Sequence, residues 1–310
     1  VDSTPSPNFT FVTNCARDTV YFTDLSTAHG TPIVSWLWNF GDGNVSTNQN
    51  PQHIYASGGN YTVTLIVEAA GGCSDSIKQT VHVYALPTAD FTFTSACHGS
   101  SSQFTDASLA NEGAITSWNW NFGDGSGSST LQNPSYIYSD TGHYTVELIV
   151  QTNFGCKDTV QHIVPYLPRP TALFIADTVC AQTYTHFTDQ SLSNGSTISS
   201  YLWDFGDGFQ STFQNPDHVY TMGGTYIVRL IVESTSGCAD TIFKPVHVDS
   251  IPTAAFSVNP VCFNNYSQFI DASSANSGSI VAYEWDFGDG LGTSFMQNPI
   301  YLYSSPGNFT

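Results

Sequence analysis

The tetrapeptide Phe-Gly-Asp-Gly occurs four times in this chain, with its aspartate at Asp42, Asp124, Asp207 and Asp289. Successive aspartates are 82, 83 and 82 residues apart. A period of this length is that of one small domain. The sequence therefore predicts a tandem array in which each unit folds around its own core.

Other residues recur at fixed distances from this motif: a cysteine before it, Asn-Pro and a tyrosine after it, and Gly-Cys-x-Asp near the end of the unit. They place repeat 1 at 5–86, repeat 2 at 87–169, repeat 3 at 170–251 and repeat 4 at 252–310. The fourth repeat stops before its second cysteine. Because residues 1–4 match the end of repeat 3, we expect them to be the tail of a preceding repeat in a longer polypeptide.

The charge balance restricts the possible partners. Six Lys and Arg residues against 25 Asp and Glu residues give a formal net charge of -19 at pH 7. Such a chain repels phosphate backbones and anionic membrane surfaces. It also has no apolar run long enough to span a bilayer. We therefore expect neither nucleic-acid binding nor membrane insertion. Hydrophobic residues make up 40% of the chain, which is enough to form packed cores.

The strand pattern is clear on both sides of the motif. In the segments 36–40, 118–122, 201–205 and 283–287 aromatic residues alternate with other residues, and the segments 61–67, 144–150 and 226–232 alternate Tyr, Val, Leu and Val with other side chains. Alternation of this kind indicates strands with one face inward. Short strands separated by Gly, Asn, Asp and Pro predict an all-β sandwich in each repeat. The Gly-x-Tyr start of the later strand resembles a tyrosine corner.

Together, Trp-Asn/Asp-Phe-Gly-Asp-Gly, Asn-Pro-x-x-x-Tyr and Gly-x-Tyr-x-Val-x-Leu-x-Val resemble the PKD (polycystic kidney disease) domain, and the resemblance covers nearly the whole chain. It implies tandem immunoglobulin-like β-sandwich repeats of about 82 residues. The family occurs mostly outside cells, in adhesins, in surface-layer proteins and as spacers of secreted hydrolases. The version with two cysteines in each repeat is similar to arrays in secreted and cell-surface proteins of Bacteroidota.

Paired carboxylates make the Phe-Gly-Asp-Gly turn the best candidate for a metal site. Asp204 with Asp207, and Asp286 with Asp289, are possible calcium ligands. The alternative is a tight turn in which each aspartate bonds to its own backbone. We favour the turn, because repeats 1 and 2 have asparagine at the first position, and we expect no metal and no cofactor.

No arrangement of residues points to catalysis. His53 and His218 occupy matching positions, but repeats 2 and 4 have Tyr136 and Tyr301 there, so the position requires a side chain of aromatic size and not histidine in particular. No Ser/His/Asp set or phosphate-binding loop stands out. We expect no catalytic residues and no enzyme activity in these 310 residues.

The cysteines indicate disulfides formed in an oxidising compartment. Each complete repeat carries two of them, 58 or 59 residues apart. The first is predicted at one pole of its sandwich and the second at the other, about 25 Å away, which is too far for a direct bond. We therefore favour bonds between adjacent repeats, Cys15–Cys156 and Cys97–Cys238. The alternative is bonds within each repeat, Cys15–Cys73, Cys97–Cys156 and Cys180–Cys238.

A second recurrent pattern is Asp followed by Ser or Thr and an apolar residue. It resembles the O-glycosylation motif of Bacteroidota, but ordinary strand alternation after a turn gives the same pattern. The hydroxyl groups in question are those of Thr19, Ser76, Thr159, Thr178, Thr241 and Ser250.

Four phenylalanines lie in predicted loops rather than on inward strand faces: Phe154, Phe209, Phe213 and Phe295. We expect them to contact neighbouring repeats or other copies of the chain. Surface glycans and host or matrix ligands are further expected partners.

These features predict a non-catalytic structural or adhesive protein, located outside the cell or on its surface. In this hypothesis a stiff array forms a stalk, an adhesin shaft or a filament. The alternative is a spacer region of a large secreted hydrolase. A weaker alternative makes each repeat a carbohydrate-binding module, which would need exposed aromatic rings in a row.

Overall fold

The structure, a computed structural model, describes residues 3–310, and every regular element in that part of the chain is a β-strand. It divides into two units, one ending at Leu167 and one beginning at Pro168. Of the predicted tail at 1–4, residues 1 and 2 lie outside the described part. Residues 3–310 form no helix long and apolar enough to cross a membrane.

Each complete repeat is a sandwich of two antiparallel sheets. Repeat 1 has a sheet in the order β1-β2-β5 and another in the order β4-β3-β6-β7. Its strands are β1 Phe9–Phe11, β2 Thr19–Asp24, β3 Ile33–Asn39, β4 Val45–Ser46, β5 Gln52–Ile54, β6 Gly59–Ala69 and β7 Ser74–Val83.

Repeats 2 and 3 have the same arrangement, with one additional short strand, β9, in repeat 2. The strands of repeat 2 are β8 Phe91–Thr94, β9 Ala96–Cys97, β10 Ser102–Asp106, β11 Ile115–Asn121, β12 Ser128–Ser129, β13 Ser135–Tyr136, β14 Gly142–Thr152 and β15 Lys157–Leu167. Those of repeat 3 are β16 Phe174–Ala176, β17 Tyr184–Asp189, β18 Ile198–Asp204, β19 Gln210–Ser211, β20 Asp217–Val219, β21 Gly224–Ser234 and β22 Ala239–Val248.

Aromatic side chains fill the space between the two sheets. The Trp38 side chain is fully buried, and its ring centroid lies 5.1 Å from that of Phe9 and 5.6 Å from that of Phe22. Its indole N–H donates to the Asn48 carbonyl at 2.9 Å. Burying rings of this size dominates the energy of a small core. The alternation of aromatic and other residues in the sequence therefore correctly predicts which face of the strand lies between the two sheets.

In each complete repeat two tyrosines tie the loops to the core. The buried Tyr55 hydroxyl donates to the Phe40 carbonyl at 3.1 Å. The Tyr61 hydroxyl donates to the Ser57 carbonyl, four residues upstream, at 2.8 Å. The second bond is the one expected of a tyrosine corner.

Repeat 4 is the exception to the strand prediction. Its strands are β23 Phe256–Val258, β24 Ser267–Asp271, β25 Trp285–Asp286, β26 Thr293–Ser294 and β27 Ile300–Tyr301. The expected strand over 283–287 is reduced to two residues, because residues 252–310 contain no counterpart of residues 64–69 of β6, which pair with β3 in repeat 1. Accordingly, Phe256 is 58% exposed, whereas its counterpart Phe9 is 2% exposed.

The Phe-Gly-Asp-Gly turn requires glycine for two different reasons. Gly41 has φ +83°, and a Cβ on it would lie 2.7 Å from the Thr62 carbonyl oxygen. Gly43 has φ +96°, but a Cβ there would meet no atom within 4 Å. Backbone strain therefore acts at both positions, and a steric clash only at Gly41.

We expect Gly43→Ala to lower the free energy of unfolding of repeat 1 by about 1 to 2 kcal/mol, the strain of a left-handed alanine. Gly41→Ala carries the same strain and also pushes β3 away from β6, so its cost is expected to be at least about twice as large. Hydrogen exchange of peptides from 33–69 in the full chain measures both. Equal losses for the two variants would contradict the steric role of Gly41.

Candidate functional site at the repeat junction

The segment after β1 determines where the first cysteine of a repeat lies. Cys15 forms a parallel bridge with Tyr84, directly after the end of β7. The Ala16 N–H donates to the Tyr84 carbonyl at 2.8 Å, and the Tyr84 N–H donates to the Asn14 carbonyl at 3.0 Å. The chain thus brings Cys15 to the pole from which it leaves repeat 1.

A disulfide joins Cys15 of repeat 1 to Cys156 of repeat 2. Their Cα atoms are 5.5 Å apart, within the usual range for disulfides. Cys156 lies in the turn between β14 and β15, and both side chains are buried. The junction between repeats 1 and 2 is therefore closed covalently.

This bond contradicts the pairing of cysteines within one repeat. Cys15–Cys73 and Cys97–Cys156 are wrong, because Cys15 and Cys156 bond to each other. The physical reason is distance: Cys15 lies beside the end of β7 and Cys73 precedes its start, about 30 Å away along a strand of this length.

In repeat 3, Cys180–Cys238 is also wrong, because within residues 3–310 Cys180 forms no disulfide, whereas Cys238 does. Cys97 is likewise disulfide-bonded. The pairing of Cys97 with Cys238 stays a prediction.

A ring stack lies beside the Cys15–Cys156 bond. Phe154, in the same turn as Cys156, packs against Tyr84 with ring centroids 4.1 Å apart and an interplanar angle of 12°. Tyr84 is the residue that pairs with Cys15. Phe154 therefore makes the contact between repeats that its loop position led us to expect.

Asn111 holds the linker that enters repeat 2. This residue has φ +57°, and its side-chain amide donates to the Leu86 carbonyl at 2.8 Å and to the Thr88 hydroxyl at 2.9 Å. Asn194 and Asn276 make the same pair of bonds in repeats 3 and 4. We call these three residues the linker asparagines.

Glu112, the next residue, binds the end of repeat 1. Its carboxylate accepts the Ala85 N–H at 2.9 Å, and the His82 Nε2 lies 2.6 Å from it. The bond from Ala85, and then the bond from His82, hold the pKa of the Glu112 carboxyl below its usual range. The carboxylate is thus ionised at neutral pH and binds two donors of the preceding repeat.

The aspartate of Gly-Cys-x-Asp has a local role in its own repeat. Asp158 accepts the Ala89 N–H at 2.8 Å, and Asp240 accepts the Ala172 N–H at 2.9 Å. Each bond fastens the first residues of a repeat to its last hairpin.

Sequence reasoning missed both the linker asparagines and these aspartates. Their regular spacing was the available signal.

The four candidate calcium ligands are used by their own turns. Asp204 and Asp286 each accept the N–H of the glycine two residues later. Asp207 accepts the Phe209 N–H, and Asp289 accepts two backbone N–H groups. Within residues 3–310 the structure has no group of three or more His, Cys, Asp or Glu side chains placed to hold a metal ion. These bonds give the carboxylates a structural role.

The ring opposite this turn supplies both a flat surface and a donor. His53 stacks on Phe40 at 4.2 Å and 3°, and its Nε2 lies 2.7 Å from the Asp42 carboxylate. In repeat 2, Tyr136 stacks at 4.2 Å and 10°, and its hydroxyl donates to Asp124 at 2.5 Å. His218 and Tyr301 do the same in repeats 3 and 4. Histidine and tyrosine are therefore equivalent here.

The His53 bond also affects the titration of Asp42. Burial opposes ionisation, but the hydrogen bonds from His53 and from Asn44 outweigh it, so the pKa of Asp42 lies below its usual value. An aspartate with a lowered pKa stabilises the fold above the unfolded-state pKa, and this contribution is lost as the pH falls below about 4.

The remaining predicted positions lie at the surface. Phe209, Phe213 and Phe295 are 65%, 77% and 74% exposed. Among the candidate glycosylation sites, Thr19 and Ser250 are partly buried, and the exposed ones are Ser76, Thr159, Thr178 and Thr241. Modification of these hydroxyl groups stays a prediction.

We expect His53→Tyr to change the free energy of unfolding of repeat 1 by less than about 1 kcal/mol, because the ring stack and the donor to Asp42 are kept. His53→Ala removes both and is expected to cost about 2 kcal/mol. Hydrogen exchange of repeat 1 peptides in the full chain distinguishes the two. If His53→Tyr is as harmful as His53→Ala, the imidazole itself is required.

Comparison with known proteins identifies the family of the repeats. A model of the PKD domain family matches residues 2–85, 84–164, 168–248 and 251–310. The metalloprotease PrtV of Vibrio cholerae is 35% identical over 103 residues, which are 32% of this chain and 11% of that protein. Collagenase ColA of Bacillus cereus is 42% identical over 60 residues, 19% of this chain and 6% of that protein. The chain thus spans about a tenth or less of these relatives.

Among solved structures, the crystal structure of the PKD1 domain from the Vibrio cholerae metalloprotease PrtV is 34% identical. It covers 26% of this chain and 98% of that domain, with a TM-score of 0.25. The family model, by contrast, covers nearly every residue in four consecutive matches. The resemblance seen in the sequence is thereby confirmed, and this chain belongs to the PKD domain family as a tandem array of four matches.

Proposed function

We propose that this array is a stiff, non-catalytic stalk, adhesin shaft or filament of an extracellular or cell-surface protein. The observation that carries the proposal is the junction between repeats 1 and 2. There a disulfide, the Tyr84–Phe154 stack and the bonds of Asn111 and Glu112 all restrain one linker. A linker held in this way transmits orientation from one repeat to the next, which a spacer that only adds length does not need.

The disulfide also supports the location. Disulfides form and persist in oxidising compartments, and an extracellular chain meets that condition. The net charge of -19 keeps such an array soluble and discourages non-specific binding to nucleic acid and to anionic membranes.

We propose a disulfide of the same kind at the next junction, between repeats 2 and 3. Cys97 pairs beside Leu167 as Cys15 pairs beside Tyr84, and Cys97 and Cys238 are both disulfide-bonded. Their bond with each other would close the junction between repeats 2 and 3 in the same way. Peptide mapping without reduction is expected to recover Cys15–Cys156 and Cys97–Cys238.

The comparisons favour a second candidate function, a spacer of a secreted hydrolase. The relatives named above are a metalloprotease and a collagenase, of which the matched segments form a small part. In that role the same junctions would set the distance between a catalytic domain and another domain of the same polypeptide.

We expect the double variant Cys15→Ser/Cys156→Ser to loosen the first junction. Its bond closes a loop with a sequence separation of 141 residues, and its loss is expected to lower the free energy of unfolding by up to about 5 kcal/mol. Pulsed electron-electron resonance between non-cysteine labels at Val45 and Leu131, both exposed, should give a broader distance distribution.

Cys180→Ser is the matched control, because Cys180 occupies the equivalent position in repeat 3 and forms no disulfide in the described chain. It should leave the distribution between Val45 and Leu131 unchanged. If the double variant gives a distance distribution as narrow as that of the wild type, the Cys15–Cys156 bond is not the source of stiffness.

Phe213→Ser tests assembly. The Phe213 side chain is 77% exposed, and only its backbone carbonyl holds the Trp203 indole, so the substitution should leave repeat 3 folded. If copies of the chain associate through this ring, analytical ultracentrifugation should show assembly shifted to about tenfold higher concentration. Unchanged assembly would rule out the contact, and a monomeric wild type would favour the spacer.

A further inference from the structure

Two of the three linkers are held by a bond from their own backbone. The Ala85 N–H donates to Glu112 before repeat 2, and the Ser250 N–H donates to the Ser277 hydroxyl at 2.8 Å before repeat 4. In both cases the acceptor is the residue that follows a linker asparagine. This bond is a second attachment beside the asparagine itself.

The linker before repeat 3 has neither partner of that bond. Pro168 stands at the donor position and has no N–H, and Gly195 stands at the acceptor position and has no side chain. A Cβ on Gly195 would lie 3.8 Å from the Pro168 ring, so the two residues still face each other.

Asn194 is the linker asparagine of this junction. Its side-chain amide donates to the Arg169 carbonyl and to the Thr171 hydroxyl, both at 2.9 Å. A carboxylate in its place would have no proton to donate and would face the Arg169 carbonyl oxygen with a negative charge. Conversion of Asn194 to an acid would therefore release the linker on this side.

Exposure and the glycine that follows Asn194 favour that conversion. Asn194 and Gly195 are both exposed, with φ of +52° and +111°. Within the described residues, the Gly195 N–H donates to no protein acceptor. Glycine after asparagine offers no side chain to hinder attack by its own nitrogen. At the other two junctions the residue after the asparagine is Glu112 or Ser277.

We propose that Asn194 is a site of spontaneous deamidation, and that the reaction releases the linker between repeats 2 and 3. The Gly195 nitrogen attacks the Asn194 Cγ, a new C–N bond forms, and ammonia leaves with the proton of the Gly195 N–H. Water then opens the resulting succinimide. Attack at Cγ gives aspartate, and attack at the main-chain carbonyl gives isoaspartate.

The reaction is tested by incubating the full chain in warm, mildly alkaline buffer and mapping its peptides by mass spectrometry. The peptide that contains Asn194 should gain about one mass unit, in aspartate and isoaspartate forms that separate by chromatography. Peptides with Asn111 and Asn276 are internal controls and should react at least about tenfold more slowly, because a side chain follows each asparagine. Equal rates at the three sites would overturn the proposal.

A matched variant tests the role of the glycine. Gly195→Ser combined with Ser196→Gly gives the order Asn-Ser-Gly found at Asn276, where Gly278 has φ +65°. This variant should keep the two bonds of Asn194 and suppress the mass gain. If it deamidates as fast as the wild type, the Asn-Gly pair is not the cause.

The release of the linker has its own readout. Asn194→Asp reproduces one product and should raise hydrogen exchange in residues 169–172 about tenfold, as expected for the loss of the two bonds. Asn111→Asp is a comparison variant, since the Glu112 bond to Ala85 remains and the rise should be smaller in 86–89. Unchanged exchange in Asn194→Asp would overturn the release.

Discussion

The parallel bridge between Cys15 and Tyr84 decides how the repeats are joined. It carries the first cysteine across to the last strand of its own repeat, so the thiol arrives where the chain enters the next domain. The linker bonds, the Tyr84–Phe154 stack and the disulfide then act on the same few residues.

The Phe-Gly-Asp-Gly turn of each repeat accepts either of two side chains as its partner, histidine or tyrosine. A flat ring must stack on the phenylalanine of the motif and donate to its aspartate. Imidazole and phenol both meet these conditions, which explains why His53 and Tyr136 alternate along the chain. A histidine that could be taken for a catalytic residue in one repeat is thus explained by the tyrosine at the same position in the next.

Much of this could be predicted, because the sandwich depends on patterns within one repeat. The period, the inward aromatic residues such as Trp38 and the pole assigned to Cys15 all follow from local spacing. The linker asparagines could not be predicted in the same way. Asn111 is a polar residue in a loop, and its role depends on the linker that it meets across the junction. Repeat 4 shows a related limit, because the strand expected at 283–287 needs a neighbour to pair with.

The Cys15–Cys156 bond has a mechanical consequence. It links two residues separated by 141 positions, so it offers a short covalent path past most of repeats 1 and 2. When the ends of this segment are pulled, tension passes from Cys15 to Cys156 through the sulfur atoms. The chain between them, residues 16–155, lies off the load path and cannot be unravelled to give extra length. This closed segment would behave under force as an inextensible link for as long as the bond stays oxidised, and only the strands outside it, β1 and β15, would bear the load directly.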